Sequence, residues 1–376
     1  MELYIFNQDI ELLGIVDEIE EMDWNRKYYS GGDCLIKALL TQNNIELLKK
    51  GNLICKKNDF KDVMIINHRE ISDSDADGME LLVVEAISIT TRILSSRITI
   101  GRQIEKGTAD KIMENMLLIQ TNHHSNKNRH IKRLKVDRSV KSEFVDTYEY
   151  NSMYKYLDEE FSIISEMDGC GHRIILDIDG KYFRFEAYKG KDKSDTVLFS
   201  TAFDNLTDQQ YIESDTNYKN VAIVAGQGEE LDRDLIIYND EKYSDFERIE
   251  LMVDARDIEQ DTKKGKDEND NEIDIPVHNG KNAIKLLQER GKSKLEETSQ
   301  INLYTASIVG NNYEYRKDYD LGDLVSIKNE KWGISYIDRI TEINEQYDQR
   351  GMTVAIEFGK ELPTLSKKIN QKMGRM

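Results

Sequence analysis

Apolar and polar positions alternate in short runs over residues 1–105, the pattern of strands that bury one face. Leu3 and Ile5, then Leu13, Ile15 and Ile19, mark the first of them. DWNRKYYSGGDCLIKALL (23–40) reads as strand, Gly-Gly turn, strand. NLICKK (52–57), DVMIINHREI (62–71) and ELLVVEAISIT (80–90) continue the series. Several strands at this spacing predict a barrel or sandwich rather than a parallel sheet.

The period changes after Gly107. Ala109, Ile112, Met113, Met116 and either Ile119 or Gln120 share one face of ADKIMENMLLIQ, with Thr108 placed to cap that helix. TNHHSNKNRHIKR (121–133) reads as an exposed loop. Met153, Leu157, Phe161 and Ile164 share a face of a second predicted helix, 151–167, which GCG (169–171) ends. HRIILDI, Asp179-Gly180 and KYFRFEAY predict a hairpin closed by a type I′ turn. VAIVAG (221–226) and DLIIY (234–238) are again strands. DTKKGKDENDNEID (261–274) is charged and predicts a structureless loop. A helix over 281–297 turns Ala283, Ile284, Leu287 and Leu295 inward, and strands return at 301–309, 324–328, 332–341 and 352–359. The last residues, LSKKINQKMGRM, are basic and predict an extended segment or a frayed helix. The order is thus β-rich, α/β, β-rich again, an α+β chain without an internal repeat.

Length and charge narrow the function. A chain of 376 residues suggests two or three domains. Lys and Arg number 52 against 71 Asp and Glu, a net charge of −19. Duplex DNA wrapping and adsorption to an anionic membrane both need basic surface, so neither is expected, nor is stable nucleic-acid binding. Cys34, Cys55 and Cys170 are odd in number and widely spaced, as reduced cytoplasmic thiols are. The acidic N-terminus lacks the basic start of a signal peptide. No apolar run reaches the roughly 18–20 residues of a membrane-spanning helix. Synthesis and folding in the cytoplasm are expected.

Candidate chemistry is thin. Asp73-Ser-Asp75-Ala-Asp77-Gly78 matches the first half of an EF-hand loop, but Val84 stands where the bidentate Glu belongs and the flanks alternate as strands. A hairpin turn is the better reading. His123, His124 and His130 fall within eight residues, yet adjacent histidines diverge, so a solvated loop is preferred to a metal site. Gly226-Gln-Gly228 follows a strand as a dinucleotide turn would, but Leu231 replaces the third glycine and Glu229 and Glu230 would repel a pyrophosphate. A tight strand-to-strand turn is expected there. Nucleophile, zincin and P-loop motifs are absent. Asp254, Arg256 and Asp257 suggest a buried cluster in which the Arg fork bridges two carboxylates. No cofactor, metal ligand or catalytic residue is assigned. The 19 tyrosines give weak support to a protein–protein role.

Six segments matter together: VLFSTAFDNL (197–206), YKNVAIVAGQGEE (218–230), ELMVDARD (250–257), YDLGDLVSI (319–327), DRITEI (338–343) and FGKELPTLSKKI (358–369). In this order and spacing the chain resembles the tail-hub family of long-tailed bacteriophages, related to the hubs of contractile tails and of bacteriocin-like tail particles. The resemblance implies two similar β-barrels with α/β insertions. The first barrel would be 1–105, the insertions 106–198 and 240–300, and the second, split barrel 199–239 with 301–360, followed by a tail at 361–376. It implies a homotrimeric, pseudo-sixfold ring. Partners would be the tail tube or a distal adaptor on one side, a spike or tip on the other, and the tape-measure protein as a further candidate. The protein would then be assembled into the virion or tail particle. Gly226, Gly228, Asp254, Ala255, Arg256, Asp257, Gly322 and Asp323 would be family-like structural positions, with no catalytic residue among them. The sequence given stops shortly after TLSKKI, so a C-terminal cell-wall hydrolase is not expected. A tail-associated hydrolase acting through paired carboxylates remains the alternative. An acidic lumen would keep a passing polyanion from sticking, and the basic tail would dock on an acidic neighbour.

Overall fold

The computed structural model describes residues 1–72, 80–137, 143–203, 205–229, 232–266, 270–308 and 313–359. The Asp73–Gly78 turn and the basic tail lie outside the described residues.

One 13-stranded sheet organises the chain. Its path runs Leu206–Ser214, Ile301–Ile308, Gly351–Gly359, Ile334–Asp348, Ile19–Lys27, Asp33–Leu39, Leu81–Ser88, Asp59–Ser72, Leu53–Lys56, Leu3–Phe6, Leu12–Val16. The early and late β-rich blocks are therefore fused edge to edge. The ladder between Ile19–Lys27 and Ile334–Asp348 joins them, from Glu342 opposite Lys27 to Tyr347 opposite Met22. The chain is β-rich, as expected; among the described residues, none of the sheets closes on itself by hydrogen bonds. Ile334–Asp348, 15 residues long, reaches past its own block to pair with the other.

Alternation gives each block its own core. In the first, Met22, Trp24, Cys34, Ile36 and Val84 pack together, with Trp24 fully buried. In the second, Phe199 meets Tyr319 edge-on and packs against Phe358. Burying rings of this size contributes roughly 2–3 kcal/mol each. A third core lies between the Ala109–Gln120 and Leu157–Asp168 helices and the Gly171–Asp177/Tyr182–Tyr188 hairpin. The first helix coincides with its predicted span. The second starts six residues later than expected, because Thr147–Met153 pairs as a strand with Arg102–Thr108. Met153 thus belongs to a strand, and the helical spacing it shared with Leu157 was accidental.

Two turns differ from expectation. The hairpin after Asp177 uses a four-residue loop with its positive φ at Lys181, not a two-residue Asp-Gly turn. The Gly180 amide donates instead to Asp177 Oδ1 at 2.6 Å. Residues 261–274 are not a structureless loop: Asp261–Lys266 and Glu272–Val277 form an antiparallel hairpin in which Thr262 and Ile275 still find cross-strand partners.

Val221–Ala225 and Leu235–Tyr238 do not join the large sheet. They pair with Glu250–Asp254 in a separate three-stranded sheet, the last pair being parallel. Ala222, Val224, Val253 and Ala255 pack there on Leu287 and Leu295 of the Lys281–Glu296 helix. These strands therefore belong with the inserted material, where sequence order alone had put them in the split second block.

Candidate functional site

The family-like positions fall into two clusters, and a third cluster was not anticipated.

The first lies where Val221–Ala225 and Glu250–Asp254 end side by side. Gly226 donates to Asp234 O at 2.7 Å, and Gly228 has φ +118 with Asp232 and Arg233 too close for a Cβ. The ladder thus continues past Ala225 into a wide loop rather than a tight turn. Ala255 is fully buried and donates to Ala225 O at 2.7 Å. Arg233, not Arg256, does the bridging: its Nε donates to Gly226 O at 2.7 Å, and its Nη2 reaches Ala225 O at 2.8 Å and also Asp254. Arg256 only adds a second cation to Asp254, at 3.0 Å. Burial pushes the Asp254 pKa up, but donors from Arg256 and Arg233 outweigh it and hold it below the usual range. Asp257 turns away and takes Arg290 of the helix through both oxygens, at 2.7 and 3.2 Å. The expected buried Asp–Arg–Asp bridge is therefore corrected. Asp254 and Arg256 are exposed because they end an outer strand, while Asp257 fastens the loop to the helix. Asp257→Asn is expected to cost about 1 kcal/mol in chemical denaturation, since the pair is only partly shielded from water.

The second cluster is a backbone junction. Gly322 has φ +92, and its Cβ would fall 2.2 Å from the Tyr28 ring. Tyr28 is fully buried; its hydroxyl accepts from Gly190 N at 3.0 Å and faces Gly169 O and Tyr188 O, each at 3.3 Å. Burial raises its pKa despite the nearby Arg339 guanidinium, so the phenol stays neutral. Asp323 accepts from Lys191 N at 2.7 Å and Asp320 N at 3.0 Å. Gly322 and Asp323 therefore dock the end of the hairpin and helix unit onto the second block.

The third cluster lies across the seam between the two blocks. Lys56 Nζ sits 2.7 Å from both Glu345 oxygens and 4.7 Å from the centre of the Trp24 ring. Tyr315 and Tyr347 donate to the same carboxylate at 2.8 and 2.7 Å, and Arg316 pairs with it at 3.0 Å. Beside it Arg26 holds Asp62 and Asp320, each at 2.6 Å. Glu345 is 1% exposed and Lys56 6%. Burial would raise the Glu345 pKa, but Lys56, Arg316 and the hydroxyl of Tyr347 hold it at about 2. The Asp62 carboxyl is likewise held low against its burial by Arg26. No sequence motif points to this network. The one local sign is a lysine closing the buried run Leu53–Lys56.

Neither cluster of family-like positions offers a nucleophile beside a base. His124 and His130 lie in the loop predicted for them, where His130 Nε2 contacts His124 O at 2.8 Å. Burial pushes the thiols of Cys34, Cys55 and Cys170 up, which suits packing rather than reactivity. Among the described residues, no three His, Cys, Asp or Glu side chains gather as a metal site.

Residues 2–360 match the model of the Siphovirus ReqiPepy6 Gp37-like protein family. The chain belongs to that family. Solved structures extend the likeness to three dimensions. The prophage MuSo2 43 kDa tail protein from Shewanella oneidensis is 12% identical with a TM-score of 0.55, over 95% of this chain and 98% of that one. The tail protein from Neisseria meningitidis MC58 is 10% identical with a TM-score of 0.56, over 96% of each. At such identities the likeness is one of fold. No curated protein sequence matches the chain. This Gp37-like protein thus has the fold of phage tail proteins, and the resemblance read from its six segments holds at the level of family and fold.

Proposed function

We propose that this Gp37-like protein is a structural hub at the distal end of a phage tail or tail-like particle. In this reading three copies form a ring, which joins the end of the tail tube, or its adaptor, to a central spike or tip. The observation that carries it is the fusion of two β-rich blocks through one ladder. A subunit built this way offers two comparable units, so three subunits can meet a sixfold tube above and a threefold spike below. The likeness in fold to two phage tail proteins supports it. So does the buried ionic seam, which ties the two blocks together where a tube end carries mechanical load. A net charge of −19 suits a channel that passes a polyanion without holding it. Gly226, Gly228, Asp254–Asp257, Gly322 and Asp323 act in this reading as shape-giving positions, with no catalysis assigned.

Quantitative mass spectrometry of purified particles tests it. About three copies per particle, scaled to the tube protein, are expected. Absence from the particle, or copies as numerous as the tube protein, would overturn the hub reading.

A further inference from the structure

Two stretches far apart in sequence hold bases and no acids. Residues 89–104 carry Arg92, Arg97 and Arg102, and residues 121–136 carry Lys127, Arg129, Lys132, Arg133 and Lys135, in a chain of net charge −19. The fold brings them together. Arg97 Nε and Nη2 both donate to Arg129 O at 3.1 Å, and Arg129 Nη2 donates to Ile98 O at 2.7 Å. Ile100 N and Arg129 Nη2 share Gln120 Oε1, each at 3.2 Å. Both guanidiniums are held by neutral oxygens, and among the described residues neither meets a carboxylate. Burial and the neighbouring Arg97 charge hold the Arg129 pKa below its usual value, as an uncompensated pair requires.

Aromatic rings border this basic pole. Tyr154 is 61% exposed and Tyr156 51%, and Ile98 bridges Tyr156. Thr99, itself fully buried, fixes the turn between them. Its N donates to Lys155 O at 2.9 Å, its O accepts from Tyr154 N at 3.0 Å, and its Oγ1 accepts from Lys155 N at 3.1 Å. Tyr154 has φ +53, a left-handed backbone that an aromatic residue adopts only at a cost. The strain holds a large ring in water beside cations. Tyr and Arg are the residues that the centres of protein interfaces enrich.

The complementary surface lies on the same chain. The first 25 residues carry eight acids and no Lys or Arg. Within them Leu12–Val16 ends the large sheet, so one side of its backbone has no partner strand. Leu12, Leu13 and Ile15 are exposed there, and the exposed acids Glu11, Asp17 and Glu18 flank them. Proteins blunt such edges with lysine, proline or a covering element, and this strand has neither of the first two. The two surfaces meet within the chain at Arg133 and Asp9, 3.0 Å apart, while the tyrosine rings and the apolar residues of the strand stay in water.

We infer that the basic, tyrosine-bearing pole of one copy docks on the acidic edge strand Leu12–Val16 of a second copy. The charges oppose, and both surfaces set apolar side chains among the charged ones. A nucleic acid is the poorer occupant of the pole, because its phosphates would run on from there over an acidic surface. The inference rests on the hub reading for the number of copies and names the two patches by which they meet. Because the patches differ, the contact is of the kind that closes rings.

Charge-swapped variants of the isolated full-length chain test this by sedimentation equilibrium. The wild type should self-associate. Lys127→Glu with Lys155→Glu, and separately Asp17→Lys with Glu18→Lys, should each weaken that association about tenfold or more. All four positions are exposed, and circular dichroism checks that the fold remains. Mixing the two double variants should restore pairing between them, since each then meets the opposite charge on the other. Tyr154→Gly separates contact from fold: glycine suits the left-handed backbone, so the denaturation midpoint should hold while association falls. A wild type that stays monomeric, swapped variants that associate as the wild type does, or a mixture that regains nothing would each overturn the contact. A short oligothymidylate bound by a monomeric wild type and lost with Lys127→Glu and Lys155→Glu would assign the pole to nucleic acid instead. The experiment needs no particle, so its failure leaves the copy number in particles, and with it the hub reading, to stand or fall separately.

Discussion

Lys56→Ala is expected to destabilise the protein by about 3–5 kcal/mol, the range for removing one partner of a buried ion pair. The cost does not measure the attraction lost. It measures Glu345, which is 1% exposed and would keep its charge in a space closed to water. Tyr315, Tyr347 and Arg316 would remain on the carboxylate, which places the expected loss toward the lower end. Removing both partners is another matter. Lys56→Met with Glu345→Leu should recover only part of the loss: no lone charge of the pair is left buried, but the hydroxyls of Tyr315 and Tyr347 and the Arg316 guanidinium lose their shared acceptor. The double variant would also unfold differently if the seam sets register. The ladder Glu345 opposite Trp24 would then be fixed by shape alone. Denaturant midpoints at neutral pH for the two singles and the double close the cycle. A single variant losing under about 1 kcal/mol, or losses of the two singles that simply add in the double, would show that the seam is not a coupled buried pair.

The same carboxylate sets an acid limb. Glu345 ordinarily titrates at 4.5 and is held at about 2 in the fold. A folded pKa below the unfolded one contributes stability that is fully present above 4.5 and lost as pH falls through about 2. The size is on the order of 3 kcal/mol. Burial also pulls Lys56 down, with Glu345 offsetting part of it. The carboxylate contributes strongly to the acid limb because it accepts from an ammonium, a guanidinium and two phenols. His172 adds an earlier step. It is buried beside Ser165 Oγ, 2.8 Å from Nδ1, and burial lowers it from 6.5 to about 4. A buried neutral histidine contributes stability above 6.5 that fades as pH falls toward 4. Unfolding free energy should therefore begin to fall near pH 6.5 and fall further below 4.5, and Glu345→Gln should flatten only the lower part.

Local pattern carried the sequence reading wherever a residue's partner is near in the chain. The Ala109–Gln120 helix and the strands at 301–308 and 351–359 came out nearly residue for residue, because burial period and strand period coincide there. Failures have a shared cause. Met153 fits a helical face equally well, until its pairing with Arg102 decides the matter from 51 residues away. The 261–274 segment is as charged as a disordered loop, but two antiparallel runs satisfy each other's backbone without a core. VAIVAG and DLIIY are good strands in any sheet, and only the parallel pairing with Glu250–Asp254 assigns them to the insert. The ionic seam was nearly out of reach: Lys56 and Glu345 lie 289 residues apart, and only the apolar run that Lys56 closes hints that it is buried. In the ELMVDARD motif the expected pairing does not form. Arg233, outside the motif, bridges where Arg256 was expected to.

Gly190→Ala is expected to cost about 3 kcal/mol or more, although Gly190 does not need a positive φ. The reason is contact alone. Its Cβ would lie 1.8 Å from Gly322 O and 2.7 Å from Asp323 N, backbone atoms that cannot swing aside. Separation by the ångström or two required would break Gly190 N to Tyr28 Oη, Lys191 N to Asp323 Oδ1 and Leu324 N to Lys191 O, at 3.0, 2.7 and 2.9 Å. Each is worth about 1 kcal/mol, and strain adds to their sum. Gly101→Ala is the control. Gly101 has φ +73 with nothing within 4 Å of a Cβ, so only the left-handed backbone is penalised, by about 1 kcal/mol. If the two variants lost equal stability, close approach would not be what glycine serves at 190. If Gly190→Ala also releases the Leu198–Ser200 strand from Leu324–Asn329 in hydrogen exchange, the junction is what holds the hairpin unit to the second block.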